Sequence, residues 1–187
     1  MVRSVWNALA RRWAAWTAKR RASTDTSSRL AARPLRRILV VCYGNIYRSP
    51  FLAEYIRQQL PGDRQVRSVG FHPRPGRPSP EAHVAMSERS GVSLASHRSA
   101  VIDPADLLWA DTVILMDRYN WVRLMQMGVD EGKLLWAGSL AGVEAEIADP
   151  YGKEQAFAQA VMDQLARAGD SIIQRIGRPD QQDLVAS

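Results

Sequence analysis

The sequence predicts an α/β fold: a three-layer αβα arrangement around a small four-stranded parallel sheet, preceded by a basic N-terminal arm. Three observations carry that expectation. Short aliphatic runs bounded by turn residues alternate with stretches of helical periodicity, the pattern of strand–helix–strand units. Charge divides along the chain: residues 1–37 hold ten Lys/Arg against Asp25 alone, a net of +9, whereas the remaining 150 residues hold 15 basic and 18 acidic residues, a net of −3. One cysteine, Cys42, stands where the first aliphatic run ends.

The same observations exclude several classes. The overall charge of +6 belongs to the arm, so a nucleic-acid partner is not expected. A lone cysteine cannot form an internal disulfide, which points to a reducing, cytoplasmic compartment. No run of 18 apolar residues offers a membrane-spanning helix. No motif asks for a metal or cofactor.

Taken in order, residues 2–20 read as an amphipathic helix, with Val2, Val5/Trp6, Leu9, Trp13 and Trp16 at helical spacing. Residues 21–34 are polar, aperiodic and end in Pro34, the pattern of a linker. The expected divisions are thus an arm and linker over 1–35, an α/β domain over 36–178 and a tail over 179–187. ILVVC (38–42) suits a buried strand. Ser49-Pro50 reads as a helix start, Ser at the N-cap and Pro in the first turn, with Phe51, Leu52, Tyr55 and Ile56 inward and a stop at Pro61-Gly62. VRSVG (66–70) is a second strand. GFHPRPGRPSP (70–80) is a stiff loop, and Ser79-Pro80 opens a helix closed by Gly91. TVILMD (112–117) is a third strand, followed by a helix over 118–127, and KLLWA (133–137) is a fourth. The last helix, 153–176, places Phe157, Val161, Leu165, Ile172 and Ile176 on one face. Parallel sheets of this kind bind ligands beyond the carboxyl ends of their strands, and Cys42 sits at such an end.

The chemistry is concentrated in VCYGNIYRSP (41–50). Between a buried strand and a helix start the chain must turn sharply, and Gly44 and Asn45 tolerate the left-handed conformations needed. Successive backbone N–H groups then converge as a nest for an anion, with the helix N-terminus aimed at the same point. Arg48 adds a planar fork for two oxygens of a tetrahedral dianion. The same surroundings favour the thiolate of Cys42, and Ser49 can donate to it. A soft nucleophile in a phosphate cradle implies phosphoryl transfer to sulfur, with the loop Tyr43, Gly44, Asn45, Ile46, Tyr47 and Ser49 around the oxygens. A leaving alkoxide or phenoxide needs a proton, and Asp149 in IADPYG (147–152) is the candidate donor, held extended by the following Pro. Tyr151 beside it could stack on a substrate ring.

With Cys42–Pro50 and Asp149–Gly152 together, the chain resembles the low-molecular-weight protein tyrosine phosphatases over about residues 36–178. Ala53-Glu54, Ser68-x-Gly70, Gly91, Ser96-His97 and Met116-Asp117 also look similar. The resemblance implies the phosphatase I-like fold, Cys42 as nucleophile, Arg48 as phosphate clamp and Asp149 as general acid and then base. It further implies a polar network of Asn45, Ser68 and His97 around the loop, and Tyr43, Tyr47 and Tyr151 as walls of a phosphotyrosine slot. His72 and His83 are left without a role. Tyr47 stands where many members have a second cysteine, so oxidised Cys42 is expected to pass to irreversible sulfinic acid unless an external thiol intervenes. The implied partner is a phosphotyrosine protein, with a membrane-bound tyrosine autokinase of polysaccharide export as the opposing enzyme. Two other functions stay open: an arsenate reductase on the same scaffold, disfavoured by the single cysteine, and a non-catalytic phosphate-binding or membrane-interaction module.

The arm lies outside the resemblance. It reads as a membrane-surface anchor through residues 2–20, as an Arg-rich transit peptide, or as a disordered tail or misassigned start.

Overall fold

The structure, a computed structural model, describes residues 2–60 and 62–177, with side chains from residue 10 onward. The expected stop at Pro61, the tail 179–187 and the side chains of Val2, Val5, Trp6 and Leu9 lie outside the described residues. Four strands form one sheet: β1 (Arg37–Cys42), β2 (Gln65–Gly70), β3 (Thr112–Leu115) and β4 (Leu134–Trp136). They pair in parallel in the order β2-β1-β3-β4. The central β1 reads eBBBBB in burial, as an aliphatic run covered on both faces should.

Alternate residues of the strands supply two cores. On one face Ile38, Val40 and Ile114 pack under α2 (Arg48–Arg57), α3 (Glu81–Arg89) and α7 (Gln155–Ile176). On the other, Leu39, Val41, Val113 and Leu115 pack under α1 (Val2–Ala32), α4 (Pro104–Trp109) and α5 (Arg118–Gln126). A short α6 (Ala137–Leu140) follows β4. This is the three-layer α/β fold that the strand–helix alternation predicts.

Several expectations are corrected. Residues 21–34 are not a linker: α1 continues to Ala32. Its buried face is Ala15, Ala18, Ala22 and Thr26, small residues that let the helix lie close to the sheet. Thr26 Oγ1 accepts from the Trp136 N–H at 3.1 Å, and Arg29 Nη1 donates to the Leu134 carbonyl at 3.1 Å. Strand β4 is at the sheet's edge, and α1 thus satisfies polar groups that an edge strand leaves open. Arg175 of α7 donates to the Leu30 and Ala31 carbonyls at the end of α1. Ser49 does not cap α2; the N-cap position is Tyr47, without a side-chain cap. Phe157, expected inward on α7, is 42% exposed. Helix α4 was unforeseen, although Asp103-Pro104 with Asp106 at N3 forms a complete capping box.

Candidate active site

Cys42 ends β1, and the loop after it is built around Asn45, the one non-glycine residue with positive φ (49°) among the described residues. That conformation turns the Asn45 N–H onto Cys42 Sγ at 3.1 Å. The Asn45 side chain and carbonyl are fully engaged. Nδ2 donates to Ser49 Oγ (2.9 Å) and Ser68 Oγ (3.0 Å), Oδ1 accepts from the Ala100 N–H (2.8 Å), and the carbonyl meets His97 Nε2 (2.8 Å). Because a carbonyl only accepts, His97 must carry its proton on Nε2. The bonds that hold Asn45 offset the cost of its left-handed backbone.

Ser49 Oγ lies 3.0 Å from Cys42 Sγ and 3.4 Å from the Val69 carbonyl. Its lone pair already accepts from Asn45, so the hydroxyl proton is free for the nearer sulfur. The hydroxyl therefore faces the Cys42 sulfur rather than the helix end. Gly70 is required by close approach: a Cβ there would stand 2.7 Å from the Tyr43 carbonyl and 2.9 Å from the Asn45 nitrogen. That Tyr43 carbonyl accepts from the N–H groups of Phe71 and His72, both at 2.9 Å, which ties the 42–48 loop to the end of β2.

Arg48 is buried and bonded on both terminal nitrogens. Nη1 donates to Asp117 Oδ2 (2.7 Å) and the Ile147 carbonyl (3.0 Å), and Nη2 donates to Asp149 Oδ2 (2.7 Å). Its Nε has no partner among the described residues, which leaves a buried donor for an incoming oxygen anion. Burial opposes the guanidinium charge, but Cys42, Asp149 and Asp117 outweigh it and hold the Arg48 pKa above its ordinary value. Asp149 Oδ1 accepts from the Tyr151 N–H at 3.1 Å.

Cys42, Tyr43, Gly44, Ile46, Tyr47, Arg48, Asp149 and Tyr151 line one cleft of about 250 Å³. Most residues singled out from the sequence thus meet at one point; Asn45, Ser49, Ser68 and His97 form the layer beneath it. The Tyr47 and Tyr151 rings meet edge-on, 6.2 Å between centroids, and burial with the nearby Tyr151 and Asp149 keeps the Tyr47 phenol protonated.

Four contributors were not foreseen from the sequence. Asp117, seen only as a matching residue at the end of β3, both caps α5 through Asn120 N–H (2.9 Å) and binds Arg48. Its position between a strand and a helix start is the signal that could have found it. Arg77 donates to the Gly44 carbonyl and lines the cleft with His72. His83 is buried, its ring 4.1 Å from that of Tyr47 and its Nε2 3.1 Å from the Tyr47 carbonyl. Burial pushes the His83 pKa down to about 4 despite that carbonyl, and burial also lowers that of His97. Both imidazoles are neutral supports near pH 7.

The family model described as low molecular weight phosphotyrosine protein phosphatase matches residues 37–182. The low-molecular-weight protein-tyrosine-phosphatase Etp of Escherichia coli K12 is 30% identical over 142 residues, covering 75% of this chain and 95% of its own. The crystal structure of the Erwinia amylovora tyrosine phosphatase AmsI superposes with a TM-score of 0.71 at 27% identity, over 78% of this chain and 95% of that one. The arginine phosphatase YwlE of Geobacillus stearothermophilus superposes with a TM-score of 0.67 at 26% identity, over 81% and 96% of the two chains. With its cysteine loop, its Asp-Pro-Tyr segment and its four-stranded parallel sheet all falling within the matched residues, this chain belongs to the low molecular weight phosphotyrosine protein phosphatase family.

Proposed function

We propose that the protein hydrolyses phosphotyrosine in proteins through a phosphocysteine intermediate. The observation that carries this reading is the Cys42 sulfur at the base of the cleft, facing the Asn45 N–H and the Ser49 hydroxyl, with Arg48 and Asp149 lining the same space. The Cys42 thiolate attacks phosphorus as the ester P–O bond breaks. Asp149 gives its proton to the departing phenoxide. The Asp149 carboxylate then takes a proton from water, which attacks phosphorus and breaks the P–S bond, releasing phosphate and the thiolate. Arg48 and the loop amides bear the charge on the transferring oxygens, so turnover is expected to persist in chelator.

The cleft walls favour an aryl ester. Tyr43, Ile46, Tyr47 and Tyr151 present rings and aliphatic carbon, and Asp149, already bonded to Arg48, is the one carboxylate among the described lining residues. Turnover of a phosphotyrosyl peptide against the matching phosphoarginyl peptide, a phosphoramidate, tests this; preference for the phosphoarginyl peptide would overturn it. An arsenate reductase gains no support, since Cys42 has no second cysteine to relay oxidation.

The opposing enzyme we propose is a membrane-bound tyrosine kinase of polysaccharide export, with the phosphatase on the cytoplasmic side. Peripheral membrane contact through residues 2–20 is supported by the face of α1 opposite its docking side. There Trp13 and Trp16 are 69% and 46% exposed, and the Arg20 guanidinium lies 4.7 Å over the Trp16 ring. No helix among the described residues is long and apolar enough to cross a membrane. Co-sedimentation with anionic vesicles, lost in Trp13→Ser/Trp16→Ser, is the expected result; equal sedimentation of both proteins would end the idea.

A further inference from the structure

Helix α1 reaches the loop that carries Asp149 through Lys19, which lies 3.7 Å from the exposed Glu144 carboxylate and is hydrogen-bonded to Glu146. One of the Glu146 carboxylate oxygens, Oε2, accepts from Lys19 Nζ at 3.0 Å. The other, Oε1, accepts from the N–H and the Nε of Arg118, at 3.0 and 2.7 Å. Burial works against the Glu146 charge, but the Lys19 hydrogen bond and Arg118 hold its pKa below the ordinary glutamate value, so the anion is what they grip. The next residue is fixed as well. Ile147 is buried, donates its N–H to the Met116 carbonyl (2.8 Å) and accepts from Arg48. Asp149 follows two residues later and is itself exposed at 44% of its side chain. The family match begins at residue 37, so Lys19 reaches this loop from an element outside it.

We propose that Lys19 is a positioning residue: through its ion pair with Glu146, helix α1 holds the 144–149 loop so that the Asp149 carboxyl stands at the departing oxygen. The proposal rests on Asp149 being the proton donor. Proton transfer requires hydrogen-bond distance in the transition state, so a small displacement of the donor is felt in rate. A partly exposed ion pair adds little to stability, which puts the signature of Lys19 in the kinetics rather than in the melting temperature. A misplaced acid matters most when the leaving group is most basic.

The test uses full-length Lys19→Met, Lys19→Arg, Glu146→Gln and Asp149→Asn. It compares kcat/KM for phenyl phosphate, a poor leaving group, with that for p-nitrophenyl phosphate, a good one. This parameter reports P–O cleavage and not hydrolysis of the phosphocysteine. Lys19→Met is expected to lose about 3–10-fold on phenyl phosphate and less than about 2-fold on p-nitrophenyl phosphate. Lys19→Arg should restore both rates, and Glu146→Gln, which removes the charge that Lys19 and Arg118 both grip, should show the same graded loss or a larger one. Lys19→Met combined with Glu146→Gln should be no worse than the more damaging single change. No loss, or an equal loss on both esters, in Lys19→Met and Glu146→Gln overturns the proposal. If Asp149→Asn itself lost equally on both esters, the proton-donor assignment would fall instead, so the two failures are distinguishable.

Discussion

Strand β1 ends in the 42–48 loop, where Asn45, Ser49 and Arg48 converge on one sulfur and one cleft. Strand β4 ends the sheet sideways, where a helix of 31 residues lies against it on three alanines, one threonine and one arginine. The first region spends polar side chains on a backbone shape that is unfavourable in isolation. The second rests on close fit, two hydrogen bonds to an open strand edge, and partly exposed ion pairs such as Arg33 with Asp130 and Arg29 with Glu131. The difference separates chemistry from containment: substitutions in the loop should reach turnover at little change in fold, and substitutions where α1 packs on β4, away from Lys19, should reach the fold at little change in turnover.

The largest expected effect is in the loop. Cys42→Ser should lower turnover of p-nitrophenyl phosphate by more than about 10⁴-fold with an unchanged circular dichroism spectrum. Residual turnover within tenfold of wild type would move the nucleophile elsewhere. Asp149→Asn should cost about 10²–10³-fold in kcat/KM on phenyl phosphate and far less on p-nitrophenyl phosphate.

An effect of intermediate size belongs to His83, which supports Tyr47 from inside the core. Its pKa is about 4 when folded against 6.5 as an ordinary histidine, so between those values the unfolded chain binds more protons. The stability it contributes is complete above about pH 6.5 and is lost as pH falls toward 4, by up to about 3 kcal/mol. His97 shifts in the same direction and adds to the slope. Urea titrations between pH 7 and 4 should show this loss, reduced in His83→Gln; an identical slope in the variant would remove His83 from the account.

The smallest effects belong to the seam. Thr26→Val leaves the Trp136 N–H without its acceptor and should cost about 1–3 kcal/mol in urea. Ala18→Leu inserts bulk into a closed contact and should cost a similar amount. Both should keep kcat within about twofold; a large loss of turnover with unchanged stability would erase the distinction between the regions.

What could be read from the sequence follows the same division. Cys42, Asn45, Arg48 and Ser49 announce themselves because a tight turn, a thiolate and an anion each demand particular residue types at close spacing. Asp149 stands out through its proline, although Arg48 holding it at 2.7 Å is a long-range contact that no local pattern encodes. Asp117 and His83 belong to that long-range class. The continuation of α1 through RASTDTSSRLAA was illegible for a different reason. Ser, Thr and Asp are poor helix formers alone, and Thr26 earns its place only through a strand 110 residues away. Trp13 and Trp16 drew attention to the apolar stripe, while the face that docks consists of alanines.

The most direct test of the central claim is to quench the enzyme in denaturant during turnover of p-nitrophenyl phosphate and to map the phosphoryl group by mass spectrometry. The account predicts one phosphoryl group, acid-labile as a thiophosphate ester, on the peptide containing Cys42 and none in Cys42→Ser. Steady turnover with a phosphoryl group on another residue, or undiminished turnover in Cys42→Ser, would contradict it.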